Sequence, residues 1–254
     1  MDARAGSDRG NACRVRGEGG GGGARHRCSD DQRELLSDDL RAVCEDVKSK
    51  PARGVAERLG RAEKVADAAW PLVRANGGRA FVLCTTLRAV DKVAERLRQL
   101  MALDDQQLPL LVQGSSTRRA LIDAFRSSGN AVLIGSISFW EGIDIRGDAL
   151  SLVVIDKLPF APPDDPVVEA KIRYLRKTGR NPFNEYQLPE AIMLMKQGVG
   201  RLVRDETDRG VLMILDERVL TKPYGKTVLA SLPPFSRTRS EAEAVEFLTR
   251  RSVS

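Results

Sequence analysis

GRAFVLCTTLRAVDKVAERLRQLMALDDQQLPLLVQG, residues 78–114, reads as strand, helix, strand. AFVLC (80–84) and LPLLV (108–112) are short, continuously apolar runs, and a helical stretch at 88–103 separates them. The same alternation continues outward. AVLIG (131–135), LSLVVID (150–156) and GVLMIL (210–215) are further apolar runs. Helical stretches fall at about 116–128, 164–178 and 187–203, and TRSEAEAVEFLTRR (238–251) reads as a closing helix. Strands with no polar alternation are covered on both faces by crossover helices. The chain is therefore expected to form an α/β layered domain with a mainly parallel central sheet flanked by helices. In such sheets ligands sit beyond the carboxyl ends of the strands. The loops after Cys84, Val112, Gly135, Asp156 and Leu215 are the places to look for chemistry.

Upstream of Gly78 the pattern differs. DQRELLSDDLRAVCEDVKSK (31–50) spaces Leu35, Leu36, Leu40, Val43 and Val47 at helical intervals, with Ser29 and Asp30 as caps. Pro51 and Gly54 interrupt it, and a second helical stretch over 55–75 ends at Asn76-Gly77-Gly78, a C-cap signal. Residues 1–30 hold 8 of the 22 glycines, and the first aromatic residue is Trp70. A segment without large apolar groups cannot offset the entropy of ordering, so disorder is expected there. The expected organisation is a disordered Gly/Arg-rich segment (1–30), a helical lead-in (31–76) and an α/β domain (77–254).

Composition narrows the chemistry. The chain of 254 residues is 42% hydrophobic and 30% charged, with a net charge of +6. That is a soluble globular composition. No apolar run approaches the ~20 residues of a membrane span, and the N-terminus lacks the apolar core of a secretory signal. Four cysteines make no disulfide framework, so a reduced, cytoplasmic setting is expected. The single histidine, His26, removes most Ser-His-Asp, Cys-His and His-metal chemistry.

Several motifs read better as structure than as chemistry. Gly225-Lys226-Thr227 imitates the end of a phosphate-binding loop, but the required earlier glycine is replaced by Leu220. Asp216-Glu217 after GVLMIL imitates a Mg²⁺-binding acidic pair, yet an acidic strand end is more often a turn or cap. Cys13, His26, Cys28 and Cys44 lack the spacing of structural zinc, so no metal site is expected. Asp164-Asp165, between prolines, reads as a helix start.

Two stretches carry more. In Gln197-Gly198-Val199-Gly200-Arg201-Leu202-Val203-Arg204, Arg201 and Arg204 are three apart, and Gln197 is four before Arg201. On a helix these side chains share a face. Paired guanidinium forks suit the spread charge of a transferring phosphoryl group. Gly198 and Gly200 each cost a helix roughly 1 kcal/mol, which points to a close backbone approach. The plainer reading is a salt-bridged surface helix. The second stretch, Ser138-Phe139-Trp140-Glu141-Gly142-Ile143-Asp144-Ile145-Arg146-Gly147, follows the strand AVLIG. Its Glu-Gly-x-Asp turn offers a carboxylate and open backbone, and Phe139 and Trp140 are candidate stacking surfaces for a base. The plainer reading makes both aromatics core.

Together, in this order, the two stretches resemble motifs V and VI of superfamily-two helicases. The DinG/YoaA branch, related to XPD, is the nearest likeness. FVLCTT (81–86), LLVQG (110–114), VVIDKLPFAPPDDPVVEAK (153–171), VLMILDERV (211–219) and YGKTVLASLP (224–233) support it. The resemblance spans roughly residues 60–250. It implies a RecA-like domain of the P-loop NTPase type, the second of two, without its own phosphate-binding loop. It implies that Arg201 and Arg204 are arginine fingers on the γ-phosphate of ATP, with Gln197 positioning them or the attacking water. It further implies that Glu141, Gly142, Asp144 and Gly200 serve the nucleotide, and that Thr85, Thr86, Ser138 and Trp140 meet single-stranded DNA. ATP and Mg²⁺ would be shared with a first RecA-like domain, in cis or trans, that carries the phosphate loop. A role in DNA repair is implied, and no iron–sulfur cluster motif is present in this chain.

Two functional classes remain open on sequence alone. One is the C-terminal motor half of an ATP-dependent DNA helicase, incomplete as an ATPase by itself. The other is a non-catalytic module that binds single-stranded nucleic acid or a partner helicase, for which Arg201 would be dispensable. An unrelated α/β transferase needs a glycine-rich loop after the first strand, and CTTLRAV (84–90) has no glycine.

Overall fold

The computed structural model describes residues 60–136, 149–200 and 209–250, together with Phe139, Leu202 and the backbone of residues 40–44. The strands are β1 (Leu40–Cys44), β2 (Ala80–Cys84), β3 (Leu110–Val112), β4 (Val132–Ser136), β5 (Leu152–Ile155), β6 (Gly210–Ile214) and β7 (Ser236–Thr238). They form one sheet in the order β3-β4-β2-β5-β6-β1-β7, and every pairing is parallel. The helices are α1 (Arg61–Ala75), α2 (Leu87–Leu103), α3 (Arg118–Ser128), α4 (Pro166–Lys177), α5 (Leu188–Val199), α6 (Arg218–Thr221), α7 (Tyr224–Ser231) and α8 (Glu241–Thr249), with a π-helical turn at Phe183–Gln187 before α5. The α/β architecture with a parallel sheet is as the apolar runs indicated.

Each central strand divides its residues between two cores. Phe81, Leu83, Leu133, Val153, Ile155, Leu212 and Ile214 pack toward α3, α5 and α7. Val82, Ile134, Leu152, Val154, Val211 and Met213 pack toward α1, α2 and α8. Both sets are buried, which is why the strands carry no polar alternation. A fully buried Leu or Val side chain contributes roughly 1.5–3 kcal/mol, so the two faces hold the layers together.

The helix expected over 31–50 is corrected at residues 40–44, which form β1. This strand lies between β6 and β7, with Leu40 opposite Gly210 and Cys44 opposite Ile214. Leu40 and Val43 suit a helical period, but a slot bordered by two strands requires backbone donors and acceptors on both sides. Tertiary pairing therefore overrides the local pattern. The remainder of 31–59 lies outside the described residues, as does the expected disorder of 1–30. The second lead-in helix is found as α1. It ends at Asn76, and Gly77 and Gly78 follow in left-handed conformations.

Local signals account for the helix starts. Thr86 caps α2 by accepting from Ala89 N at 3.2 Å, and Asp165 caps α4 by accepting from Val167 N at 2.8 Å and Val168 N at 3.1 Å. Asp164-Asp165 is thus a helix start. Gly225-Lys226-Thr227 lies inside α7, where no phosphate loop can form. A Cβ on Gly225 would lie 2.0 Å from the Val219 carbonyl oxygen, so the glycine is there for close packing of α7 on α6.

Asp216, 2% exposed, ties two strand exits together. Its Oδ2 accepts from Leu158 N at 2.7 Å, after β5, and Arg218 Nη2 donates to the same oxygen at 2.7 Å. Arg218 Nε donates to Oδ1 at 2.9 Å. Burial pushes the Asp216 carboxyl up, but the Arg218 guanidinium and the backbone N–H groups of Leu158 and Arg218 outweigh it and hold it below the usual carboxylate range.

Gly225→Ala is expected to destabilise the domain by about 1–3 kcal/mol in denaturant unfolding. Lys226→Ala, at an exposed position, should stay within about 0.5 kcal/mol of wild type. Asp216→Ala is expected to cost roughly 2–4 kcal/mol, at the lower side of buried pairs because Arg218 is a third exposed. The sign with pH follows from the lowered carboxyl. Its stabilisation is present above the unfolded value of ~3.9 and is lost as pH falls through the lower folded value. Acid titrations of stability should therefore show a smaller loss in Asp216→Asn than in wild type.

Candidate nucleic-acid interface

The sheet order locates a crevice. From β2 the chain runs through α2 to β3, and from β5 it runs through α4 and α5 to β6. Helix α2 lies on one face and α5 on the other. Strands β2 and β5 are neighbours, so their exits diverge to opposite faces. Such a switch point is where open parallel sheets bind ligands.

A cleft of about 160 Å³ lies there, lined by Arg61, Thr86, Arg88, Lys92, Asp156 and Lys157 among others. Four of these are basic. Arg61 Nη2 donates to the Asp156 carbonyl at 3.1 Å and to the Leu215 carbonyl at 2.9 Å, which joins the ends of β5 and β6 to the start of α1. Lys92 pairs with Glu63 at 2.9 Å, and this bond holds the Glu63 carboxyl below its ordinary range. Arg88 is exposed, and Lys157 is half-buried. The N-terminus of α2 adds the positive end of a helix dipole.

Beneath this wall lies Asp156, 4% exposed. Its Oδ2 accepts from Thr85 N and from Thr85 Oγ1, both at 3.3 Å, while its Oδ1 is buried without a partner. Burial pushes the Asp156 carboxyl up, and the Thr85 N–H and Lys157 only partly oppose it. Burial likewise pushes the neighbouring Cys84 thiol up, so it stays neutral.

Of the residues singled out in the sequence, Thr85 and Thr86 stand at this switch point. Gln197 is exposed near the end of α5, and Gly200 caps that helix with φ −62°. The helix expected over 187–203 is described as α5, Leu188–Val199; Gly200 N–H still donates to the Lys196 carbonyl, and residues 201 and 203 lie outside the described residues. Arg201, Arg204, Ser138, Trp140, Glu141, Gly142 and Asp144 lie outside the described residues. Phe139 is corrected as a stacking surface. It is 5% exposed, sits under Gly135 and has the Arg118 guanidinium 5.6 Å from its ring centroid.

No motif in the sequence singles out Arg61, Arg88, Lys92, Asp156 or Lys157. The signal available was position alone, since Asp156-Lys157 follows a strand and Arg88 follows the Thr85-Thr86 turn. Asp216-Glu217 does not suit Mg²⁺ because the Asp216 oxygens already serve Arg218 and Leu158. Among the described residues, no group of three metal-binding side chains converges. No described helix is long and apolar enough to cross a membrane.

Residues 69–235 match the Helicase C-terminal domain family. Over 189 residues the chain is 51% identical to the ATP-dependent DNA helicase YoaA of Escherichia coli strain K12, covering 74% of this chain and 29% of that protein. It is 38% identical over 191 residues to the ATP-dependent helicase DinG of Mycobacterium tuberculosis strain H37Rv, covering 75% of this chain and 28% of that protein. The chain thus spans less than a third of the length of these curated relatives. A solved XPD helicase shares the fold, with a TM-score of 0.54 and 24% identity, over 82% of this chain and 37% of that one. The parallel sheet, the cleft at its switch point and these likenesses agree, and the chain belongs to the helicase C-terminal domain family of the DinG/YoaA type.

Proposed function

We propose that this chain is the C-terminal motor half of an ATP-dependent DNA helicase and supplies part of the track for single-stranded DNA. The basic cleft between β2 and β5 is the observation that carries the reading. Arg61, Arg88, Lys92 and Lys157 line this cleft with Thr86, and Thr85 stands next to it on Asp156. Cations neutralise strand phosphates without regard to base, as a translocating motor requires. Thr86 uses its oxygen to cap α2, which leaves its hydroxyl proton available to a phosphate. Leu87, 58% exposed, offers an apolar surface beside these polar groups.

In this reading Arg201 and Arg204 are the arginine fingers, and Gln197 orients them or the attacking water. Glu141, Gly142, Asp144 and Gly200 face the nucleotide, and Ser138 and Trp140 extend the strand track. ATP and Mg²⁺ are held chiefly by a first RecA-like domain, in cis or trans, because this sequence contains no GxxxxGK[ST] loop. Work in DNA repair accords with this reading.

The purified chain is expected to hydrolyse no ATP above background, with or without single-stranded DNA. Adding a first RecA-like domain from a DinG/YoaA relative should restore DNA-stimulated hydrolysis, and Arg201→Ala should remove it again. Hydrolysis by the chain alone that disappears in Arg201→Ala would mean that a complete site is present. Restored hydrolysis that survives Arg201→Ala would favour the non-catalytic binding module. For the track, anisotropy of a labelled oligo-dT should show weaker binding by Arg88→Ala and Lys157→Ala. The slope of log affinity against log salt should fall by about 0.7 for each. Unchanged slopes would remove the cleft from the track.

A further inference from the structure

Thr85 has a single hydroxyl proton. In the structure Thr85 Oγ1 donates it to Asp156 Oδ2, the oxygen that also accepts the Thr85 N–H. A hydroxyl engaged in this way turns only lone pairs toward an approaching phosphate oxygen, and the two repel. Thr85 can therefore donate to a strand phosphate only when Asp156 gives up the Thr85 hydroxyl proton. Both contacts are 3.3 Å, at the long end for hydrogen bonds, so a stronger acceptor can compete for the proton. The second oxygen of Asp156, Oδ1, is buried and has no partner.

We propose that Asp156 is a positioning residue for strand binding, whose carboxyl decides whether the Thr85 hydroxyl proton is available to a DNA backbone phosphate. The proposal rests on the strand-track reading above. A solvent proton added at Oδ1 neutralises the carboxylate and weakens Oδ2 as an acceptor. The Thr85 O–H then rotates about its Cβ–Oγ1 bond and donates to the phosphate, while the N–H contact keeps the turn in place. Loss of the buried negative charge also removes a repulsion between Asp156 and the strand.

The charged groups around the carboxyl are cations, and they oppose the effect of burial. Lys157 faces the carboxyl from its own loop, and the neutral Cys84 thiol faces it from β2. Arg61, from α1, is occupied with the Asp156 and Leu215 carbonyls. Arg218 acts on it from the β6 exit but is held by Asp216. Arg88 and Lys92 line the same cleft. Burial places the titration of Asp156 above the ordinary carboxylate range despite these cations.

The test is affinity of the full chain for labelled oligo-dT from pH 8.5 down to 4 at constant ionic strength. Wild-type affinity is expected to rise about tenfold as pH falls, the scale of one hydrogen bond to a charged group. Asp156→Asn should bind at pH 8.5 about as tightly as wild type does in acid, with a flatter profile. Asp156→Asn leaves every other ionisable group in place, so their contributions cancel from the comparison. Thr85→Ser should keep the wild-type profile, whereas Thr85→Ala should bind weakly and keep only the smaller rise that comes from loss of the Asp156 charge. Circular dichroism verifies folding of each variant, and the Thr85→Ser and Thr85→Ala pair tests the idea independently of Asp156→Asn. If Asp156→Asn follows the wild-type profile, or Thr85→Ala retains it, the proposal is overturned while the strand-track reading stands. Absence of binding by wild type and Asp156→Asn at every pH would overturn both.

Discussion

A parallel sheet covered by helices on both faces leaves little of itself to solvent. The interiors of β2, β4, β5 and β6 are buried throughout. Their backbone groups are spent on neighbouring strands and their side chains on the two cores. Chemistry is therefore confined to the ends of the strands, where the ladder stops and carbonyls and polar side chains need other partners. The cleft, the buried carboxyls and the threonine pair all stand in that zone.

Three polar groups make this zone rigid. Arg61 closes two strand-end carbonyls from the start of α1. Asp216 fastens the chain after β5 to the turn after β6 and takes up the Arg218 guanidinium. Arg218 in turn lies 5.3 Å from the Phe160 ring centroid, and Phe160 packs against Phe183 and Tyr224. Asp156 differs from Asp216 in one respect. Asp216 has an arginine fork on both oxygens, whereas Asp156 has one oxygen without a partner. The first arrangement keeps the carboxylate ionised, and the second raises the cost of its charge. Two similar acids at adjacent strand ends thus acquire opposite shifts.

The misleading motifs have structural explanations in the same region. Gly225-Lys226-Thr227 is a helical turn whose glycine admits the Val219 carbonyl. Asp216-Glu217 is a turn whose first acid is already fully occupied. Phe139 fills the space over Gly135, where a larger residue would collide with its ring. Each motif has the right residue types for chemistry, and each is already committed: Gly225 to the Val219 carbonyl, Asp216 to Arg218 and Leu158, and Phe139 to Gly135.

The sequence by itself determined the layered α/β class, because buried strands must be continuously apolar and their crossover helices amphipathic. It determined the strand positions from 80 to 214 closely, the C-cap at Asn76–Gly78 and the Asp165 helix start, all of which depend on residues a few positions apart. The order of residues 139–147 and 197–204 also pointed to the helicase family. Tertiary structure decided the rest. It made a strand of Leu40–Cys44, since pairing on two sides outweighs a helical period. It buried Phe139 and brought Arg61 across the chain to Asp156 and Leu215. It also set Asp156 against Thr85, 71 residues away. Local periodicity carries the energetics of helices and strands, whereas desolvation and long-range hydrogen bonds depend on which strand ends become neighbours. That adjacency is a property of the folded sheet, and no short stretch of the chain encodes it.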